Sequence, residues 1–144
     1  MNTASNTCAT KSTATIDAQT FTTTVLCIDD DPDVTEALER VLHRHGVRVL
    51  RAFHGMQGYW RAVTEQPDLI ILDLFMPKGQ GTEVMKCLKN NSQTKHIPVV
   101  ILTGTDDRRT KRAMYELGAV RYLVKPTPID ELLDELSHFI ALPT

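Results

Sequence analysis

The stretch Val25-Leu26-Cys27-Ile28-Asp29-Asp30-Asp31-Pro32-Asp33-Val34 decides the fold. A short apolar run, too brief for a helix, ends abruptly in three acids, and a proline follows. The run reads as a buried strand. Asp31 reads as a helix cap and Pro32 suits the first helical turn. Beyond them Val34, Ala37, Leu38, Val41 and Leu42 recur on one helical face until Gly46 stops the helix.

The same alternation continues along the chain. Apolar runs at 47–52, 69–72, 97–102 and 120–124 are each followed by a longer segment with helical spacing. Three of the five runs, counting the first, are almost wholly apolar, as strands of a parallel sheet covered on both faces require. The last helix is predicted to start at Thr127-Pro128-Ile129-Asp130, with Thr127 as cap and a core stripe of Ile129, Leu132, Leu133, Leu136 and Ile140. Five strands alternating with five helices predict a three-layer α/β fold with right-handed crossovers.

Composition fits that reading. The 144 residues are 42% hydrophobic and 24% charged, which suits one globular domain. Lys and Arg number 16 against 18 Asp and Glu, a net charge of −2 with no basic excess for nucleic acid or anionic lipid. The longest apolar stretch, Ile97 to Leu102, falls far short of the ~20 residues that span a bilayer. The first residues lack a basic region followed by an apolar one, so they do not read as a secretory signal. Cys8, Cys27 and Cys87 form no CxxC pair, so neither disulfides nor zinc are expected and the reducing cytoplasm is the expected location. Nine of the first 24 residues are Thr, with little apolar surface to bury. Residues 1–23 are therefore expected to form a flexible arm before a folded domain over 24–142, with no output domain in this chain.

Ligands of open parallel sheets bind at the carboxyl ends of the strands. Asp29, Asp30 and Asp31 follow the first run, Asp73 the third, Thr103-Gly104 the fourth and Lys125-Pro126 the fifth. Carboxylates, a hydroxyl and one ammonium thus converge on one edge. Two negative charges ~5 Å apart repel by about 3 kcal/mol at an effective dielectric near 20. Such a cluster suits a hard divalent ion, with Asp29, Asp30 and Asp73 as candidate ligands. Helix capping accounts for Asp31 but not for Asp73 or Lys125.

The ordered set IDDDP (28–32), ILDLFMP (71–77), ILTG (101–104) and YLVKP (122–126) resembles the receiver domain of bacterial response regulators, the CheY-like family. The resemblance covers roughly Thr24 to Ala141 and implies a doubly wound, flavodoxin-like sheet in order 2-1-3-4-5 with helices on both faces. It implies that Asp73 accepts a phosphoryl group from a sensor histidine kinase or a histidine phosphotransfer protein. Asp29, Asp30, Asp73 and the backbone carbonyl of Phe75 would hold Mg²⁺, with Mn²⁺ as an alternative. Thr103 and Lys125 would contact phosphoryl oxygens, and the Lys125–Pro126 peptide would be cis. Thr103 and Tyr122 would form the switch, the Tyr122 ring turning inward as Thr103 moves. The output would be a changed face on the fourth helix, fifth strand and fifth helix, which regulates a downstream protein and could also support a homodimer. Neither direct nucleic-acid binding nor membrane association is expected, and the chain is not expected to be an enzyme beyond its own phosphoryl transfer and autodephosphorylation.

Gln80 and Thr127 depart from the residues common at those places in the family. Phe75 and Thr105 stand at positions that influence how fast the acyl phosphate hydrolyses in that family. Neither can orient a water as an amide or acid would, so a long-lived phosphorylated state is expected, with the Phe75 ring as a shield. Two other functions compete: a haloacid-dehalogenase-like phosphatase with Asp29 as nucleophile, and a degenerate receiver acting only through contacts. The phosphatase lacks a strand-terminal acidic pair after Lys125, and the degenerate receiver is at odds with all five functional positions being present. His43, His45 and His54 are read as ordinary residues rather than metal ligands, Cys27 and Cys87 as core thiols, and the cluster Arg108, Arg109, Lys111 and Arg112 as too short and too balanced to bind DNA.

Overall fold

A computed structural model of the chain describes residues 23–77 and 80–143. The arm expected over 1–23 lies outside the described residues, apart from Thr23. The elements alternate: β1 (Thr23–Ile28), α1 (Pro32–His43), β2 (Val47–Ala52), α2 (Gly55–Glu65), β3 (Leu69–Leu72), α3 (Gly81–Asn90), β4 (Val99–Thr103), α4 (Arg108–Leu117), β5 (Arg121–Val124) and α5 (Ile129–Leu136). All pairings are parallel and the sheet order is β2-β1-β3-β4-β5. This is the expected 2-1-3-4-5 sheet. No helix among the described residues is long and apolar enough to cross a membrane.

The period of two along each strand splits the interior into two cores. Leu26 and Ile28 of β1, Ile70 and Leu72 of β3 and Ile101 of β4 pack with Ala62, Met85, Leu88 and Met114, under α2, α3 and α4. Val25 and Cys27, Leu69 and Ile71, and Val100 and Leu102 point the other way, to Leu38, Leu42, Leu132 and Leu136 of α1 and α5. Central strands buried on both faces are what the near-continuous apolar runs call for.

Several local expectations shift. β4 starts at Val99 rather than Ile97, because Pro98 has no N–H for the ladder and contributes only its carbonyl, which accepts from Ile70 N at 2.9 Å. β5 starts at Arg121, one residue later than expected. α1 ends at His43, before Gly46, which takes φ 75° in the turn to β2. Asp31 caps α1 as expected, accepting from Asp33 N at 2.9 Å. Thr127 does not cap α5. Its hydroxyl donates back to Val124 O at 2.7 Å, and Pro128 takes the cap position with no side-chain bond. That places Ile129 outward, 42% exposed, while Leu132, Leu136 and Ile140 are buried. Cys27 is a core thiol, whereas Cys87 is exposed on α3, outside the stripe of Val84, Met85 and Leu88.

Gly81 is required by a close approach. A Cβ there would lie 2.4 Å from Asp73 O and 2.4 Å from Leu74 Cα, and Gly81 N donates to Leu74 O at 2.8 Å. The first residue of α3 is thus laid directly against the loop leaving β3, which carries Asp73. Gly81→Ala is expected to cost about 1–3 kcal/mol in urea unfolding, since backbone and not a flexible side chain must yield. An unchanged midpoint would show that the loop has slack.

Candidate functional site

The carboxyl ends of β1, β3, β4 and β5 bring Asp29, Asp73, Thr103 and Lys125 together. Strand pairing sets this: Ile28 is level with Leu72, Leu72 with Ile101, and Thr103 with Val124. Asp29 N donates to Ala52 O at 3.0 Å and Asp73 N donates to Ile28 O at 2.9 Å, so both backbones are held where the ladders stop. Carboxylate oxygens of Asp29, Asp30 and Asp73 all lie within 4.8 Å of one another. Asp29 and Asp73 are buried, while Asp30 is exposed.

Lys125 answers this charge only in part. Its Nζ is 2.7 Å from Asp29 Oδ2 and 3.8 Å from Asp73 Oδ2. The Lys125–Pro126 peptide is cis, as expected. Asp29 has both oxygens engaged, Oδ2 by Lys125 and Oδ1 by Asp31 N at 2.9 Å. Asp73 is freer: its Oδ1 receives only a long 3.5 Å bond from Phe75 N. Burial pushes the Asp73 carboxyl above the usual carboxylate range, Lys125 pulls it back, Asp29 pushes it up again, and the Thr103 hydroxyl and Phe75 N–H pull it down a little further. Three acids and one ammonium leave net negative charge in a space the size of an ion. A hard, oxygen-ligated divalent cation fits this donor set, with Asp29, Asp30 and Asp73 as its carboxylates.

Thr103 is fully buried, and among the described residues its Oγ1 has no hydrogen-bond partner. The hydroxyl nonetheless lies close enough to Asp73 to favour its ionised form, and with no full hydrogen bond made it remains a donor available within the site. Beside it, a Cβ on Gly104 would meet nothing within 4 Å, so the space there is open. Tyr122 is buried, with only 6% of its surface exposed. Its hydroxyl donates to Thr105 O at 2.9 Å, and Lys111 Nζ lies 5.6 Å from the ring centroid. The ring is thus already inward, tied to the β4–α4 loop rather than swung outward. Burial, then Asp106, Asp107 and Asp73, push its hydroxyl up to about 12, so it stays a donor. Phe75 is 59% exposed, and its ring projects largely into solvent.

Two features escaped the sequence reading. Val34, Ala37, Pro126, Ile129 and Leu132 line an apolar cleft of about 270 Å³ between α1 and α5, and Lys125 lines it as well. Its signal was the outward Ile129, hidden by the assumption that Thr127 caps the helix. Arg51 of β2 reaches the first turn of α1, and an arginine in the inward-facing row Val47, Val49, Arg51 was the available signal. Among the described residues, Asp29, Asp30 and Asp73 are the one group of three or more His, Cys, Asp or Glu side chains close enough to share a metal ion.

Residues 25–137 match the family model of the response regulator receiver domain. The chain is 33% identical over 117 residues to protein PilH of Pseudomonas aeruginosa, covering 81% of this chain and 97% of PilH. It is 38% identical over 109 residues to the DNA-binding dual master transcriptional regulator RpaA of Synechocystis, covering 76% of this chain but only 45% of RpaA. Among solved structures it is similar to the chemotaxis protein CheY4 of Vibrio cholerae, with a TM-score of 0.77 at 30% identity over 82% of this chain and 98% of that one.

The Asp73 shift has a consequence for stability. Its folded pKa is raised, so the folded chain holds the proton more tightly than the unfolded chain. The contribution to stability is fully present below the ordinary carboxylate value and is lost as pH rises through the raised folded value. Metal-free Asp73→Asn is therefore expected to melt higher than the wild type at neutral pH, with the gap closing toward about pH 4. Thermal melts in chelator across that range test it, and equal melting temperatures at neutral pH would refute the charge crowding. Relief at the exposed Asp30 is expected to be smaller, because water screens it.

Proposed function

The chain belongs to the receiver-domain family of response regulators, phosphorylation-dependent signalling domains, and on that premise we propose that Asp73 accepts a phosphoryl group from a phosphohistidine on a sensor kinase or phosphotransfer protein. The observation that carries this reading is the freedom of the Asp73 oxygens beside Lys125, against an Asp29 whose two oxygens are both occupied. A nucleophile needs an available lone pair, and Asp73 has one. The same contrast argues against a phosphatase that uses Asp29.

An Asp73 oxygen forms the new O–P bond as the N–P bond to the donor imidazole breaks, and the imidazole leaves with a proton from solvent. Lys125 offsets the charge that gathers on the phosphoryl oxygens, and the unpartnered Thr103 hydroxyl donates to one of them. Asp29, Asp30, Asp73 and the Phe75 carbonyl would hold Mg²⁺, which supplies charge neutralisation that one ammonium cannot. The apolar cleft between α1 and α5 receives the donor, because Lys125 lines both the cleft and the acidic site.

Phosphorylation is read out through Thr103 and Tyr122. Drawing Thr103 toward the phosphoryl group favours the inward Tyr122 and the Thr105 carbonyl it binds, a population shift that reaches α4, β5 and α5. That face then regulates a partner protein or pairs with a second copy. The reading is that of a signalling module rather than a metabolic enzyme, in the cytoplasm where its donor would be.

Incubation with acetyl phosphate and Mg²⁺, followed by borohydride trapping and peptide mass analysis, is expected to mark Asp73. Marking of Asp29 would favour the phosphatase, and no label would favour the degenerate receiver. In a chase of the phosphorylated protein, Phe75→Asn is expected to shorten the lifetime, because the new amide can orient a water where the outward Phe75 ring cannot, and an unchanged decay would remove position 75 from control of hydrolysis. Ile129→Asp is expected to slow transfer from a phosphohistidine donor while leaving acetyl phosphate labelling intact. Equal slowing of both reactions would place the defect in the acidic site instead of the cleft.

A further inference from the structure

Arg51 ends the row Val47, Val49, Arg51 on the β2 face that looks toward α1, paired with Cys27 of β1. Its guanidinium reaches across the first two turns of α1. Nε donates to Thr35 Oγ1 at 3.0 Å, Nη2 donates to Pro32 O at 3.2 Å, and Nη1 is 3.5 Å from Glu39 Oε1. Cζ lies 5.3 Å from the Phe53 ring centroid. Thr35 is wholly buried, and its hydroxyl donates to the same Pro32 carbonyl at 3.2 Å. An arginine fork and a buried hydroxyl therefore converge on the first carbonyl of α1.

That carbonyl is the far end of the acidic loop. Val34 N and Thr35 N donate to Asp31 O, Asp33 N donates to Asp31 Oδ1, and Asp31 N donates to Asp29 Oδ1. The chain of bonds runs without a break from the guanidinium to the carboxylate that Lys125 holds. Asp29, Asp30 and Asp31 are consecutive like charges, and such a loop spreads unless something fixes it. We propose that Arg51 is a positioning residue for the divalent-cation ligands: by clasping the first turn of α1 through Pro32 and Thr35, it holds Asp29 and Asp30 in register with Asp73. This rests on the reading that the three aspartates bind a divalent cation.

The sign of the effect separates this role from simple electrostatics. Arg51 is a cation on the element next to the acidic loop. Removing its charge alone would repel a metal ion less and strengthen binding. Removing a clasp weakens binding, because the ligands must then be ordered at the moment the ion arrives.

Titration of the full chain with Mg²⁺ in a calorimeter tests the point. Arg51→Met is expected to weaken Mg²⁺ binding roughly tenfold, the lower end of what supporting groups contribute around a metal. Arg51→Lys keeps the charge but not the fork, and is expected to weaken binding by about threefold, between wild type and Met. Thr35→Val is expected to act in the same direction, and the double variant to be no worse than Arg51→Met alone, since both remove one clasp. Unchanged or tighter Mg²⁺ binding by folded Arg51→Met or Arg51→Lys overturns the clasp alone. Absence of Mg²⁺ binding by the wild type overturns the divalent-cation reading, and the clasp with it.

Discussion

Lys125 Nζ, 2.7 Å from one buried carboxylate and 3.8 Å from another, is the contact on which the rest of this molecule turns. Two acids at the ends of adjacent strands would repel each other into solvent if nothing lay between them. The ammonium keeps them in place, yet a single positive charge against Asp29, Asp30 and Asp73 leaves an anionic surplus. The site is therefore stable enough to fold and charged enough to want a cation. Burial strengthens both tendencies, because the electrostatics of Asp73 are less screened there than on the surface.

The fold serves this arrangement by dividing labour between chain directions. Parallel strands put every carboxyl end on one rim, so residues far apart in sequence meet without long loops. The ladders fix the backbones of Asp29 and Asp73 directly. The loops beyond them are held by different means: the Asp31 cap, the Gly81 approach to the β3 loop, the cis Lys125–Pro126 peptide and the Arg51 fork. Tyr122 links the rim to the outer face, through a hydroxyl bonded to the loop that follows Thr103. A change at the acidic site thus has a short mechanical route to β5.

Kinship with receiver domains fits an acidic rim of this composition. The chain spans nearly the whole of PilH but under half of RpaA, so the shared part is the receiver and not the remainder of the longer relative. On α4, Arg108, Arg109 and Arg112 are exposed, and α5 carries the exposed acids Asp130, Glu131 and Asp134.

Apolar runs closing on Asp29, Asp73, Thr103 and Lys125 were enough to settle the α/β alternation and the rim residues, because burial on both faces leaves a strand no polar choices and a strand end no other place for an acid. Sequence order alone told that Asp31 caps α1 and that Lys125 precedes a proline. Tertiary structure decided the rest. Thr127 turns back to Val124 rather than capping α5, so Ile129 faces outward and an apolar cleft opens beside Lys125. Cys87 leaves the core, Tyr122 lies inward, and Arg51 spans from β2 to α1. Each of these depends on which neighbour a side chain meets across a gap in sequence, and hydrophobic period carries no record of that. Local spacing encodes which face a residue takes, while partners across the sheet choose what it does there.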